Sequence, residues 1–155
     1  MKRIVFPTLG VLLVFTMFSF WGCSKSDDQA VKDHQLIQDY VNSHHLTGEF
    51  TASGLYYAIH DTGSTVHPDM SSTCTVDYKG YFLDDRVFDK GTNVQFKLSQ
   101  VIKGWQEGLP LIGEGGKITL IIPSAAAYGE NGAGTIPPNT VLGFDVTLHK
   151  VSNKE

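Results

Sequence analysis

Alternating apolar and polar positions predict β-strands in the second half of the chain. Cys74, Val76 and Tyr78 alternate with other residues over Thr73–Phe82, which is the pattern of a strand with one buried face. Leu83-Asp84-Asp85-Arg86 then predicts a hairpin turn before Val87-Phe88. Further strands are predicted from four short apolar patterns: Leu55, Tyr57 and Ile59; Val94, Phe96 and Leu98; the β-branched run Lys117–Ile122; and Leu142, Phe144, Val146 and Leu148.

Two segments have helical spacing instead. The first begins at Asp27 or Asp28, either of which can cap a helix, and runs to about His45. Its predicted stripe is Ile37, Tyr40, Val41 and His44. The second lies within residues 101–109, and its face continues along Trp105, Leu109 and Ile112. About five strands and one short internal helix, preceded by the N-terminal helix, indicate an α+β domain with a mostly antiparallel sheet.

The start of the chain has the pattern of an export leader. The basic residues Lys2 and Arg3 precede an apolar run without charge over residues 4–22. Gly22 stands directly before Cys23, which resembles the signal of a bacterial lipoprotein, in which the cysteine is lipidated and becomes the mature N-terminus. An uncleaved transmembrane anchor is the alternative, since the run approaches the ~20 apolar residues that span a bilayer. Either interpretation tethers the domain outside the cytoplasm.

Composition and charge narrow the class of protein. The 155 residues are enough for one domain, and 41% hydrophobic with 18% charged residues is typical of a globular protein. Without Lys2 and Arg3 the chain carries 10 basic and 16 acidic side chains, which argues against a nucleic-acid partner. We expect three regions: a signal peptide over residues 1–22; the lipidated cysteine, a tether and the lead-in helix over residues 23–47; and the folded domain over residues 48–152.

Most kinds of catalytic site have no matching motif here. His44 and His45 are adjacent, so on a helix they point in different directions, and we expect neither a metal nor a cofactor. No Gly-x-Ser-x-Gly elbow is present. The glycines Gly129, Gly132 and Gly134 lie in a loop rather than between a strand and a helix, so phosphate binding is not expected. Cys74 has no disulfide partner if Cys23 carries lipid, and its strand pattern predicts a buried thiol.

Six short motifs follow one another within about residues 53–152. They are Tyr78-Lys79-Gly80, Val87-Phe88-Asp89, Val101-Ile102-Lys103-Gly104-Trp105, Ala127-Tyr128-Gly129, Ile136-Pro137-Pro138-Asn139 and Gly143-Phe144-Asp145-Val146. Each motif alone is weak, but the ordered set is specific and resembles the signature of the FKBP-type peptidyl-prolyl cis-trans isomerases. The resemblance implies a half-barrel, in which an antiparallel sheet wraps around the short helix and an aromatic pocket lies between them.

The resemblance also implies roles for individual residues. The expected pocket is lined by Tyr78, Phe88, Phe96, Val101, Ile102, Trp105, Tyr128 and Phe144, with Trp105 as its floor. The expected catalytic residues are Tyr78, Phe88, Asp89, Trp105, Tyr128 and Phe144; those expected to bind substrate are Phe96, Val101, Ile102 and Ile136. Asp89 and Tyr128 would offer polar groups near the substrate carbonyl, and the N–H of Ile102 would donate a hydrogen bond. Ile136 would lie in the loop that covers one wall.

The resemblance implies an isomerase that acts on X–Pro bonds of exported proteins and assists their folding. Rotation about an amide breaks no covalent bond, so the missing nucleophile and metal motifs are consistent with it. The alternative is a non-catalytic, chaperone-like peptide-binding module of the same fold; an adhesive or nutrient-capturing surface lipoprotein is a third reading. Expected partners are proline-containing peptides, macrolide inhibitors of the FKBP type and a membrane reached through the lipid on Cys23. We expect a monomer in the bacterial cell envelope, at the outer membrane, facing the periplasm or the surface.

Overall fold

A single antiparallel sheet forms the frame of the molecule. The computed structural model describes residues 25–152, in which six strands pair in the order β1-β2-β5-β6-β3-β4. The strands are β1 (Glu49–Phe50), β2 (Tyr56–Asp61), β3 (Thr73–Phe82), β4 (Val87–Lys97), β5 (Lys117–Ile122) and β6 (Leu142–Ser152). Two α-helices accompany them, α1 (Lys25–Ser43) and α2 (Lys103–Gly108). This is the expected α+β fold, an open antiparallel sheet around a short helix with an N-terminal helix before it.

The long strand β3 organises the half of the sheet that carries the predicted site. It pairs along its length with β4 on one side and with β6 on the other, so that Tyr78 lies opposite Gly91 and Val146. The predicted hairpin joins β3 to β4, with Asp85 in the left-handed region at φ 65° and the N–H of Phe82 donating to the carbonyl of Arg86 over 3.0 Å. The bounds predicted for β3 and β5 agree with the structure.

The sheet is covered on both faces, and this produces two hydrophobic clusters. The inner cluster surrounds α2 and contains Trp105, Leu109 and Ile112 together with inward-facing residues of β3, β5 and β6. The outer cluster lies between α1 and the sheet, where Ile37 and Tyr40 pack with residues of β2 and β5. Trp105, Leu109 and Ile112 are therefore confirmed as core. They do not share one helix, because α2 ends at Gly108 and a short 3₁₀ helix, Leu109–Leu111, follows it.

The predicted strand β2 is present, but the alternation of Leu55, Tyr57 and Ile59 does not mark its only buried face. Leu55 is fully buried, but Ile59 is 37% exposed, and the residues of the other face, Tyr56 and Ala58, are buried. Tyr56 and Ala58 belong to the cluster beneath α1, so both faces of this strand meet apolar partners. A strand that is buried on both faces loses the simple alternation from which its orientation was read.

Other boundaries also differ from the sequence prediction. The helix α1 begins at Lys25, so Asp27 and Asp28 lie in its first turn and do not cap it. The helix α1 ends at Ser43 instead of reaching His45, because His45 adopts a left-handed conformation with φ 53°, which an α-helix cannot contain. His44 is exposed rather than part of the buried stripe. Leu98 is buried as predicted, but it lies in a short turn, Leu98–Gln100, after β4.

The predicted leader and Cys23 lie outside the described residues. Within residues 25–152, neither helix is long and apolar enough to cross a bilayer. The division into regions at residues 22 and 47 stays a prediction.

The thiol of Cys74 supplies a test of the inner cluster. Its side chain is only 1% exposed, and burial raises its pKa to about 11. In a Cys23→Ser background, we expect almost no alkylation by iodoacetamide at about pH 8, where the thiol is protonated and inaccessible, and faster labelling as the pH approaches the raised pKa. Mass spectrometry measures the adduct, and the same protein in guanidinium is the control. Rapid labelling of the native protein at the lower pH would contradict this packing.

Candidate active site

Five aromatic side chains from β3, β4, α2 and β6 form one cluster on the inner face of the sheet. They are Tyr78, Phe88, Phe96, Trp105 and Phe144. The Trp105 ring is central, with ring centroids 5.4 Å from Tyr78, 5.7 Å from Phe96 and 5.5 Å from Phe144, all in edge-to-face contact. Phe88 meets Phe144 at 5.7 Å in the same geometry. Edge-to-face contacts of this kind orient the rings as well as bury them. We call these five side chains the aromatic chamber.

Trp105 reaches the centre because α2 lies close against β5. A Cβ atom at Gly104 would stand 2.5 Å from Cγ2 of Ile122, and one at Gly108 would stand 2.5 Å from Cδ2 of Leu120. Both positions face the sheet one helical turn apart, so a side chain at either of them would overlap Ile122 or Leu120 unless these side chains moved. The result is an indole that is 4% exposed and whose Nε1 has no hydrogen-bond partner among the described residues.

The wall between β3 and β4 is also shaped by a glycine. A Cβ atom at Gly80 would stand 2.7 Å from Cζ of Phe88 and 2.8 Å from Cε1 of Phe144. The missing side chain therefore leaves room for these two rings. Phe82, which faces the same side of β3, adds a contact to Phe88 with centroids 5.2 Å apart.

Tyr78 and Asp89 form the polar rim of the aromatic chamber. The Tyr78 hydroxyl donates to Oδ2 of Asp89 over 2.7 Å, and Oδ1 of Asp89 accepts from the N–H of Lys90 over 2.9 Å. Burial, followed by the bond to Asp89, raises the pKa of Tyr78 to about 12. The hydroxyl therefore stays protonated, and the bond persists at any physiological pH.

Val101 and Ile102 lead into α2 and pack against the inner cluster. The carbonyl of Ile102 accepts from the N–H groups of Trp105 and Gln106, while Nε2 of Gln106 donates to the carbonyl of Val101 over 2.7 Å. The N–H of Ile102 has no acceptor within residues 25–152. It is therefore free to donate to a bound peptide.

The loop between β5 and β6 contains Tyr128 and Ile136, and it packs against the inner cluster through Ile136. Ile136 is 8% exposed and belongs to the inner cluster, and it exchanges two backbone hydrogen bonds with Ala133. Gly132 and Gly134 have φ values of 63° and 56°, which L side chains rarely adopt. Tyr128 is 38% exposed, but it lies close enough to Tyr78 to contribute to the raised pKa of that residue.

The structure thus brings the sequence-predicted site residues to one region. Phe96, which was expected to bind substrate, contacts both Tyr78 and Trp105. Sequence reasoning missed Phe82, although the spacing Tyr78, Gly80, Phe82 along one strand face could have identified it. It also missed two buried polar residues, Asp33 and Ser124, whose connection spans 91 residues of sequence.

The outer face of the sheet carries polar side chains where the inner face carries aromatic ones. A groove of about 600 Å³ crosses it and is lined mostly by polar residues. There Lys79 pairs with Asp145 over 2.8 Å, and Asp145 also accepts from the Thr119 hydroxyl. Among residues 25–152, no three His, Cys, Asp or Glu side chains converge as metal ligands. The side chains of the aromatic chamber lie on the opposite, inner face.

Comparisons with known proteins point to the same family as the motifs. Residues 64–149 match the model of the family described as FKBP-type peptidyl-prolyl cis-trans isomerase. A probable FKBP-type isomerase, FkpA, from Neisseria meningitidis is 48% identical over 110 residues, which cover 68% of this chain and 40% of that protein. FkpA from Escherichia coli K12 is 44% identical over 102 residues, which cover 63% of this chain and 38% of that protein. The chain thus spans about two fifths of the length of these curated relatives.

Solved structures have the same fold. The crystal structure of FkpA from Escherichia coli superimposes with a TM-score of 0.72 at 37% identity, over 83% of this chain and 62% of that chain. A peptidyl-prolyl cis-trans isomerase from Pseudomonas syringae also gives a TM-score of 0.72, at 29% identity, over 84% of this chain and 98% of that chain. The match to this second structure covers nearly its whole length.

The contact between α2 and β5 can be tested by Gly104→Ala. Alanine favours a helix over glycine by about 1 kcal/mol, yet we expect a net loss of about 1–3 kcal/mol in the free energy of unfolding, because the new methyl group overlaps Ile122. We also expect the emission of Trp105 to shift as the indole is displaced, measured in a Trp21→Phe background. Lys103→Ala, at an exposed position of the same helix, is the matched control. Equal stability of the two variants would show that the close approach is not required.

Proposed function

This chain belongs to the FKBP-type peptidyl-prolyl cis-trans isomerase family, and on that premise we propose that it accelerates rotation about X–Pro bonds. The observation that carries the proposal is the aromatic chamber with the buried Trp105 as its floor. Such a chamber fits a prolyl ring, which is apolar and has no N–H donor.

An apolar chamber can lower the rotational barrier without forming a bond. Uncatalysed rotation faces a barrier of about 20 kcal/mol because the planar amide is stabilised by resonance. At the twisted midpoint this resonance is lost and the carbonyl is less polar. A dry aromatic surface therefore disfavours the planar state more than the twisted state, which is the differential binding that accelerates a reaction.

The polar groups at the edges of the chamber orient the substrate. The free N–H of Ile102 and the exposed hydroxyl of Tyr128 can each donate to a peptide carbonyl. Asp89, as an ionised carboxylate, can only accept hydrogen bonds, so its role is to hold the Tyr78 ring at the wall and to meet donors of the peptide. With the flanking carbonyls held, the prolyl side turns within the chamber.

We further propose that the protein acts on exported proteins at the bacterial cell envelope, with lipid on Cys23 as its membrane anchor at the outer membrane. The support is the leader: a basic start, an apolar run over residues 4–22, and Gly22 directly before Cys23. The aromatic chamber needs no residue from a second copy, and we propose a monomer, which light scattering tests. FKBP-type macrolides, which carry apolar rings and carbonyl groups, would compete with peptide for the chamber.

The isomerase proposal is tested in a protease-free assay of a peptide with an X–Pro bond. We expect acceleration over background, inhibition by a macrolide, and about a tenfold lower kcat/KM for Tyr78→Phe, since a hydrogen bond to a charged partner is lost. Tyr57→Phe is the matched control, because its hydroxyl donates to Glu49 over 2.9 Å outside the chamber. Peptide binding with no acceleration would instead indicate the non-catalytic, chaperone-like module.

Lipidation is tested by growth of bacteria that express the full chain with radiolabelled palmitate. We expect label on the protein, loss of that label in Cys23→Ala, and retention in Cys74→Ala, because Cys74 is buried in the inner cluster. Sedimentation with membranes is expected to follow the label. Label that survives Cys23→Ala would refute the lipid anchor, and membrane association without label would support the uncleaved transmembrane segment.

A further inference from the structure

Asp33 is a buried carboxylate that the chamber does not use. It lies on α1 on the same stripe as Ile37 and Tyr40, and its side chain is 1% exposed. Its Oδ2 accepts from the N–H of Ser124 over 2.8 Å and from the hydroxyl of Ser124 over 2.6 Å. Its Oδ1 accepts from Nε2 of Gln29 over 2.7 Å. Burial of a carboxylate is costly unless hydrogen bonds compensate for it, and here both oxygens have donors.

Asp33 provides the hydrogen-bond acceptor for the first N–H group of a short helical turn that has no side-chain cap of its own. Ser124–Ala126 forms a short 3₁₀ helix that follows Pro123, and Pro123 offers no side-chain cap. The first N–H groups of a helix have no partner within the helix. Asp33 supplies the acceptor from another element, 91 residues earlier in the sequence, and Ser124 is itself only 1% exposed.

This turn leads directly to the rim of the chamber. The N–H of Ala127 donates to the carbonyl of Ser124 over 3.0 Å, and Tyr128 follows. Ala126 belongs to the inner cluster and Ala127 packs against it. Because Tyr128 directly follows this turn and its C-cap residue Ala127, a shift of the turn would move the backbone from which the Tyr128 ring projects.

We propose that Asp33 is a positioning residue for the isomerase site, which holds Tyr128 in place through Ser124. This rests on the proposed function. In this proposal α1 is part of the site, because its Asp33 accepts the hydrogen bonds of Ser124 that hold the turn before Tyr128. The other buried residues of the stripe, Ile37 and Tyr40, pack in the outer cluster and have no bond to this turn.

A double-mutant cycle between Asp33 and Tyr128 tests the proposal in the full chain. We expect Asp33→Ala to lower kcat/KM about tenfold, because a small displacement of a substrate-contacting group is costly. In a Tyr128→Ala background the same substitution is expected to cost little, since the group that it positions is absent. Asp33→Asn keeps an acceptor oxygen for Ser124 and is expected to recover most of the activity. Asp39→Ala, an exposed aspartate of the same helix that bonds Gln35, is the charge control and is expected to act as wild type.

Hydrogen exchange supplies a readout that does not depend on activity. We expect faster amide exchange in residues 124–128 of Asp33→Ala and no change there in Asp39→Ala. If Asp33→Ala does not fold, Ser124→Ala removes only one of the two bonds and takes its place in the cycle. Additive losses in the cycle, or unchanged exchange, would overturn the positioning role while the proposed function stands. An inactive wild-type protein would overturn the proposed function itself.

Discussion

Helix α2 can lie against β5 because its two sheet-facing positions, Gly104 and Gly108, have no side chain. The position of Trp105 and its ring contacts depend on this approach. The close packing of α2 on β5 brings Trp105 to the inner face of the sheet. There its ring makes edge-to-face contacts with three other rings, from β3, β4 and β6. A longer side chain at either glycine would separate helix from sheet, and the rings would lose the neighbour that orients them.

In the proposed reaction the chamber would act through shape and polarity instead of reactive groups. Its aromatic faces would exclude water from the amide, and the donors at its edges, such as the N–H of Ile102, would hold the peptide while the prolyl bond turns. The raised pKa of Tyr78, about 12, keeps its hydroxyl protonated and hydrogen-bonded to Asp89. This is sufficient for a reaction in which a bond rotates and none is broken.

The second face of the sheet contributes to the same site at a distance. The helix α1 covers β2 and β5 through Ile37 and Tyr40, and beside them Asp33 holds Ser124 at the start of the turn before Tyr128. The inner cluster thus forms the floor of the chamber, while the buried Asp33 of α1 supports the proposed wall at Tyr128 through Ser124. Burial of Asp33 is compatible with a stable fold because its oxygens receive three hydrogen bonds.

Local pattern in the sequence determined the features that depend on near neighbours. These include the bounds of β3 and β5, the hairpin at Asp85, the burial of Trp105, Leu109 and Ile112, and, through the ordered motifs, the membership of the aromatic chamber. Only the tertiary structure shows which side chains of β2 are buried. Both faces of this strand pack against apolar residues, so its sequence does not distinguish a buried face from an exposed one. The tertiary structure also decided the role of Asp33, which reads as an ordinary helix carboxylate until folding brings Ser124, 91 residues later, within hydrogen-bond distance. Burial and hydrogen bonding are properties of neighbours in space, and a sequence shows only neighbours along the chain.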